Sequence, residues 1–170
     1  KLNIPLRSID LTKEYWDKVF KIFLKECEIG RTPNPDIICN REIKFRAFLD
    51  YATNLGANKI ATGHYAKIKK QNGLYHLLRG EDRSKDQSYF LYRLDQSQIS
   101  KSIFPLEKVN KKNVRRIADD LGFLNYDKKD STGICFIGER NFKGFLKKFI
   151  KPKPGNIINN KGTTIGKHEG

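Results

Sequence analysis

Lys59-Ile-Ala-Thr-Gly-His-Tyr-Ala66 is the segment that sets the fold class. Ile60 and Ala61 read as a short buried strand, and Gly63 turns the chain at its end. The residues ahead of it have helical spacing: Ile43, Ala47, Phe48, Tyr51, Ala52 and Leu55 form one apolar stripe, stopped by Gly56. A helix running into a buried strand and a glycine turn is a unit of α/β folds, so the spacing predicts a mostly parallel sheet with helices on both faces. In such sheets ligands approach the carboxyl ends of the strands, which makes Gly63 and His64 candidate nucleotide contacts. The more ordinary role for His64 is that of a hydrogen-bonded structural histidine.

Upstream, Trp16, Val19, Phe20, Phe23, Leu24 and Cys27 mark an earlier amphipathic helix, with Thr12 as its cap and Gly30 as its stop. Cys27 lies on the apolar stripe and reads as a small buried hydrophobe. Leu2-Asn-Ile-Pro-Leu6 suits a strand in the middle of a sheet. Downstream, Asn72-Gly73 between apolar residues predicts a β-hairpin over 66–79. Asn110 to Leu121 is a further helix, with Val114, Ile117, Ala118 and Leu121 facing inward and Lys111, Lys112, Arg115 and Arg116 outward. Phe142, Phe145, Leu146, Phe149 and Ile150 form a short helix. After the break at Lys151-Pro-Lys-Pro-Gly155, a hairpin is expected around Asn159-Asn-Lys-Gly162.

Two cysteines sit in segments unlike a core. Gly30-Arg-Thr-Pro-Asn-Pro-Asp36 is a stiff, exposed loop, and Cys39 follows it at or just before a helix that Asp36 or Asn40 caps. The free N–H groups there, with Arg41 and Lys44 nearby, would make Cys39 more acidic than a free thiol. Cys135 lies in Asp130-Ser-Thr-Gly-Ile-Cys-Phe-Ile-Gly-Glu-Arg140, whose hydroxyl and glycine residues suit a mobile loop or short strand. Lys85, Asp86 and Gln87 run into Tyr89 and Phe90, a mixture able to hold phosphate, ribose or a base edge, or simply to start a solvated helix.

Composition narrows the partners. Lys and Arg number 34 against 19 Asp and Glu, a formal charge of +15 that favours a polyanion such as RNA, DNA or an anionic membrane surface. No apolar run approaches the ~20 residues of a membrane span, and residues 1–7 do not form a signal peptide. Three cysteines, an odd count, argue against a secreted disulfide framework and for a reducing, cytoplasmic setting. Cys27, Cys39, Cys135 and His64 lack metal-ligand spacing, so no metal site is expected.

Taken together, Gly30–Asp36, Cys39-Asn-Arg-Glu-Ile-Lys-Phe45, Ala61-Thr-Gly-His-Tyr65, Lys85-Asp-Gln-Ser-Tyr-Phe-Leu91 and Asp130–Arg140 resemble, in order, the motifs of bacterial tRNA-specific 2-thiouridylases. The resemblance implies an α/β fold of the ATP-pyrophosphatase-loop type, and ATP-dependent replacement of the C2 oxygen of a wobble uridine by sulfur. It implies Cys135 as the persulfide cysteine and Cys39 as the thiol that closes a transient disulfide with it. It also implies Asn34, Pro35 and Asp36 around the target base, Lys85, Asp86 and Gln87 on the tRNA, and Gly63 on ATP taken with Mg2+. Implied partners are tRNA and a persulfide-carrying relay protein or cysteine desulfurase. The glycine- and serine-rich phosphate loop and the carboxyl-terminal β-barrel of that family have no counterpart in these residues. The expectation is therefore an amino-terminally truncated α/β domain over 1–140, with the start of a small β-rich unit over 141–170. The competing reading is a non-catalytic basic RNA-binding module in which both thiols are bystanders.

Overall fold

A computed structural model of the chain describes residues 3–130, 133–135, 138 and 141–170. Two long helices organise them. The first covers 12–28, as Thr12–Tyr15, a stretch of wider π-type turns Trp16–Phe20, and Lys21–Glu28. Thr12 is not its cap: Leu11 holds that position, and Asp10 Oδ1 accepts a hydrogen bond from the Thr12 amide at 2.8 Å. Gly30, at φ +81°, ends the helix in the left-handed conformation glycine tolerates. Tyr15, Val19, Phe20 and Phe23 are buried, whereas Trp16 is 43% exposed and lays one side against Phe20 and Phe149.

The second helix covers 35–54, as Pro35–Cys39, the π-type turns Asn40–Ala47, and Phe48–Asn54. It begins earlier than the proline-rich segment suggests. Asn34 is the cap, its Oδ1 accepting from the Asp36 amide at 3.0 Å, and Pro35 takes the first helical position, where its missing N–H costs nothing. This helix divides the interior. Cys39 and Ile43 pack with Tyr15, Val19, Phe20 and Phe23 of the first helix. Phe45 and Leu49 pack instead with Ile60, Ala66, Leu91, Leu94, Ile99 and Phe104.

Against that second cluster lies the parallel pairing that makes the fold α/β: β1, Ile60–Ala61, beside β4, Ser102–Ile103. The hairpin of β2, Ala66–Gln71, and β3, Leu74–Arg79, turns at Asn72 and Gly73, both with positive φ, in the register Gln71↔Leu74 to Ala66↔Arg79. The short helix Phe142–Leu146 places Phe145 against Phe20 at 5.7 Å. β5, Gly155–Ile158, and β6, Thr164–His168, form the carboxyl-terminal hairpin.

Two expectations are corrected. Asn3 to Leu6 is exposed and unpaired with any strand among the described residues, with Leu6 91% exposed; Leu2 lies outside them. The helix Lys111–Asp120 forms, capped by Asn110, but buries no residue: Ile117 is 47% and Leu121 66% exposed, because no described element covers its apolar stripe. Among the described residues, no helix is long and apolar enough to cross a membrane.

Candidate functional site

The start of the second helix and the segment 133–135 meet at the two thiols. The Asn34 cap fixes Asp36 in the first turn, and Asp36 Oδ1 accepts a hydrogen bond from the Cys135 amide at 2.9 Å. Cys39, one turn beyond Asp36, is fully buried and donates through its Sγ to Cys135 Sγ at 3.3 Å. Both cysteines are free thiols, though they stand 96 positions apart in sequence. Cys27 is partly buried at the edge of the same cluster.

The contact makes the two thiols unequal. The hydrogen bond from Cys39 lowers the Cys135 pKa to about 7; burial opposes that shift and the Lys44 ammonium adds to it. The same hydrogen bond, followed by burial and the charge of Cys135, pushes Cys39 far upward. The expectation that Cys39 is more acidic than a free thiol is therefore corrected: its pKa is raised. Cys39 lies beyond the first turn of the helix, where the effect of the helix end has fallen off, and the contact leaves Cys135 the more acidic of the pair. Lys44, five residues beyond Cys39, lies in turns that close with i→i+5 spacing, an irregularity frequent at functional sites. Tyr15, buried beside the pair, is held in its neutral form by burial and by the two thiols and Asp36. One outcome follows directly: the rate of Cys135 alkylation should rise with a midpoint near pH 7, and Lys44→Gln should move that midpoint up by about one pH unit, as loss of a nearby opposite charge does. Iodoacetamide labelling followed by peptide mass spectrometry checks it, and an unmoved midpoint rules Lys44 out as the counter-charge.

The remaining candidates have other settings. Gly63 follows β1, where the Thr62 amide donates to Ile103 O at 3.1 Å, and a Cβ there would meet nothing within 4 Å, so the backbone is open to a ligand. His64 is buried against Phe45 and Phe104, its Nδ1 2.8 Å from Thr62 Oγ1, and burial holds it neutral with a pKa of about 4, the structural role. Gln87 clamps the backbone of Tyr65: its Oε1 accepts from the Tyr65 amide and its own amide donates to Tyr65 O, both at 3.0 Å. Asp86 accepts from Ser88 Oγ at 2.8 Å and lies 3.5 Å from Arg79 Nε. Lys85 Nζ reaches Asp130 at 2.8 Å. Pro35 is buried, and Asn34 is committed to its cap. Ser131, Thr132, Phe136, Ile137, Glu139 and Arg140 of the second cysteine motif lie outside the described residues. Among the described residues, no three His, Cys, Asp or Glu side chains gather as a metal site.

Sequence reasoning missed the bond from Asp36 to Cys135 and the gathering of cations around Asp130. The first had no signal, because it joins segments distant in sequence. For the second, the Lys128-Lys129-Asp130 run was the available hint.

Comparison with known proteins shows the family. The family model described as the tRNA methyl transferase HUP domain matches residues 1–139. A tRNA-specific 2-thiouridylase of Hydrogenovibrio crunogenus is 57% identical over 171 residues, covering 100% of this chain and 45% of that protein. Proteins of the same name from Alkaliphilus oremlandii and Streptococcus sanguinis are 56% and 54% identical, each over 100% of this chain and over 47% and 46% of their own lengths. The chain thus spans about half the length of the curated relatives it matches.

Proposed function

The chain belongs to the tRNA methyl transferase HUP domain family, and we propose that it is the thiol-bearing part of a tRNA-uridine 2-sulfurtransferase. The family description speaks of methyl transfer, whereas the relatives are named for 2-thiolation. The observation that favours sulfur is the 3.3 Å contact of an acidified Cys135 with a protonated Cys39. Neither methyl transfer in general nor a passive RNA-binding module requires two unequal thiols in contact, whereas a persulfide relay does.

In this reading Cys135 carries the transferred sulfur as a persulfide, loaded by a relay protein or a cysteine desulfurase. Its terminal sulfur attacks C2 of the wobble uridine; the C–S bond forms and the activated oxygen departs. Cys39 then gives up its proton and attacks Cys135 Sγ. The S–S bond to the transferred sulfur breaks, its electron pair stays with that sulfur as the thiocarbonyl, and the two cysteines are left as a disulfide for a cellular thiol to reduce. In an alternative order Cys39 attacks first and releases hydrosulfide, which adds to C2. ATP, with Mg2+, supplies the activation of the C2 oxygen. The open backbone at Gly63, at the end of a parallel strand, suits an approaching nucleotide, and no further residue described here is assigned to it. Asn34, Pro35 and Asp36 border the thiols and are assigned to the target base, and Lys85, Asp86 and Gln87 to the tRNA. We assign residues 1–140 to an α/β part and 141–170, which carry the β5–β6 hairpin, to a β-rich part.

Mild oxidation of the full-length protein followed by peptide mapping tests the relay. The expected product is a Cys39–Cys135 disulfide that excludes Cys27. Oxidation that pairs Cys27 instead, or leaves Cys39 and Cys135 unpaired, counts against it.

A further inference from the structure

Asp130 is surrounded by more positive charge than one carboxylate can neutralise. Its oxygens lie 2.8 Å from Lys85 Nζ, 3.1 Å from Lys111 Nζ and 3.9 Å from Arg115 Nη2. Lys111 and Arg115 are four apart on the helix Lys111–Asp120 and so share a face. They form the wall between two cavities. One, of about 440 Å³, is lined by Asp82, Ser84 and Lys112; the other, of about 360 Å³, by Tyr126, Lys128 and Lys129. The second carboxylate nearby, Asp82, is committed elsewhere: it accepts from the Lys111 amide at 2.8 Å and from Ser84 Oγ at 2.7 Å.

Two polar groups at this place lack partners among the described residues. Arg115 Nε is buried without an acceptor, although Nη2 of the same guanidinium donates to Lys128 O at 3.2 Å. The Tyr65 hydroxyl, on a side chain only 6% exposed, is likewise unpartnered, and Asp82, Asp130 and Arg115 act on it electrostatically. Buried donors without acceptors are uncommon in folded proteins, and two beside a cation cluster indicate an acceptor-rich anion. A phosphate offers more acceptor oxygens than a carboxylate and suits the planar fork of a guanidinium. The ion pairs to Asp130 are solvent-exposed and individually weak, so they exchange readily.

We propose that Lys85, Lys111 and Arg115, with the Tyr65 hydroxyl, form a phosphate site that Asp130 fills at rest and that an incoming phosphate takes over. In its RNA form the inference rests on the tRNA reading above, and it extends that surface to the helix Lys111–Asp120. The shared chemistry is a phosphate group, whether from an RNA backbone or from a free phosphate.

The test uses the full-length protein, a tRNA transcript and inorganic phosphate, and reads binding without thiolation, so its failure leaves the oxidation test of the cysteines untouched. Arg115→Gln should weaken tRNA binding about tenfold at low salt and reduce the slope of log Kd against log salt by about one, the signature of one lost phosphate contact. Arg116→Gln removes the same charge from an exposed neighbour and should do much less. Asp130→Asn removes the resident competitor and should tighten binding about threefold, while Asp127→Asn, an equal change of charge, leaves it nearly unchanged. If tRNA ignores Arg115→Gln but calorimetric binding of inorganic phosphate is lost in it, the site takes a free phosphate. Equal effects of Arg115→Gln and Arg116→Gln on tRNA, with no phosphate binding, overturn the proposal, as does an Asp130→Asn variant that binds more weakly.

Discussion

Cys135→Ser in the full-length protein is expected to abolish formation of 2-thiouridine, by more than about 10³-fold, because a hydroxyl cannot carry the transferred sulfur. Affinity for tRNA should stay within about 0.5 kcal/mol of the parent, since the exchange removes no cation and the partial negative charge it takes away from Cys135 does not attract a phosphate. Cys39→Ser has a different signature. Serine still donates a hydrogen bond to Cys135, so the acidified thiolate and its persulfide survive, but the thiol that releases the sulfur is gone. If the terminal sulfur reaches the base before Cys39 acts, a single turnover should leave tRNA joined to Cys135 through an S–S bond, and dithiothreitol should free thiolated tRNA from it. If Cys39 acts first to release hydrosulfide, no adduct forms and added sulfide restores product. Gel shift under denaturing conditions, with and without reductant, separates the two orders. Normal turnover in Cys39→Ser would remove this cysteine from the relay altogether.

The elements were legible where local chemistry is self-sufficient. Asn72-Gly73 dictates its hairpin, Gly30 stops its helix, and Ile60–Ala61 forms the parallel strand its apolar run announces. What stayed hidden depends on neighbours. Pro35 reads as a breaker until Asn34 is recognised as the cap that lets proline occupy the first turn. The periodicity of 114–121 gives a helix correctly but not its burial, because periodicity reports an apolar stripe and not what covers it. Both thiols were found as chemistry-bearing residues, and their pairing came only through the family motifs. The acidity of Cys39 was misjudged. Sequence shows a cysteine near a helix start, while the ionisation depends on a donor 96 residues away.

Asp36→Ala offers the second large effect, and its two consequences have opposite signs. The carboxylate raises the pKa of Cys135 by its charge, so its removal should populate the thiolate further and speed alkylation below pH 7. The same carboxylate holds the Cys135 amide at 2.9 Å and thereby sets where the sulfur stands. Losing that bond lets the segment shift, and a misplacement on the order of 1 Å at a reacting atom costs about 10²-fold in rate. The expected variant is thus chemically more reactive toward a small alkylating agent and about a hundredfold slower in single-turnover thiolation at saturating tRNA. Asp36→Asn separates position from charge. Its amide oxygen can still accept from the Cys135 N–H, so if positioning dominates, most of the rate returns; if the carboxylate acts on the substrate by its charge, the Asn and Ala variants are equally slow. Thiolation that stays at the parent rate in Asp36→Ala would mean that the Asp36–Cys135 bond has no part in aligning the sulfur.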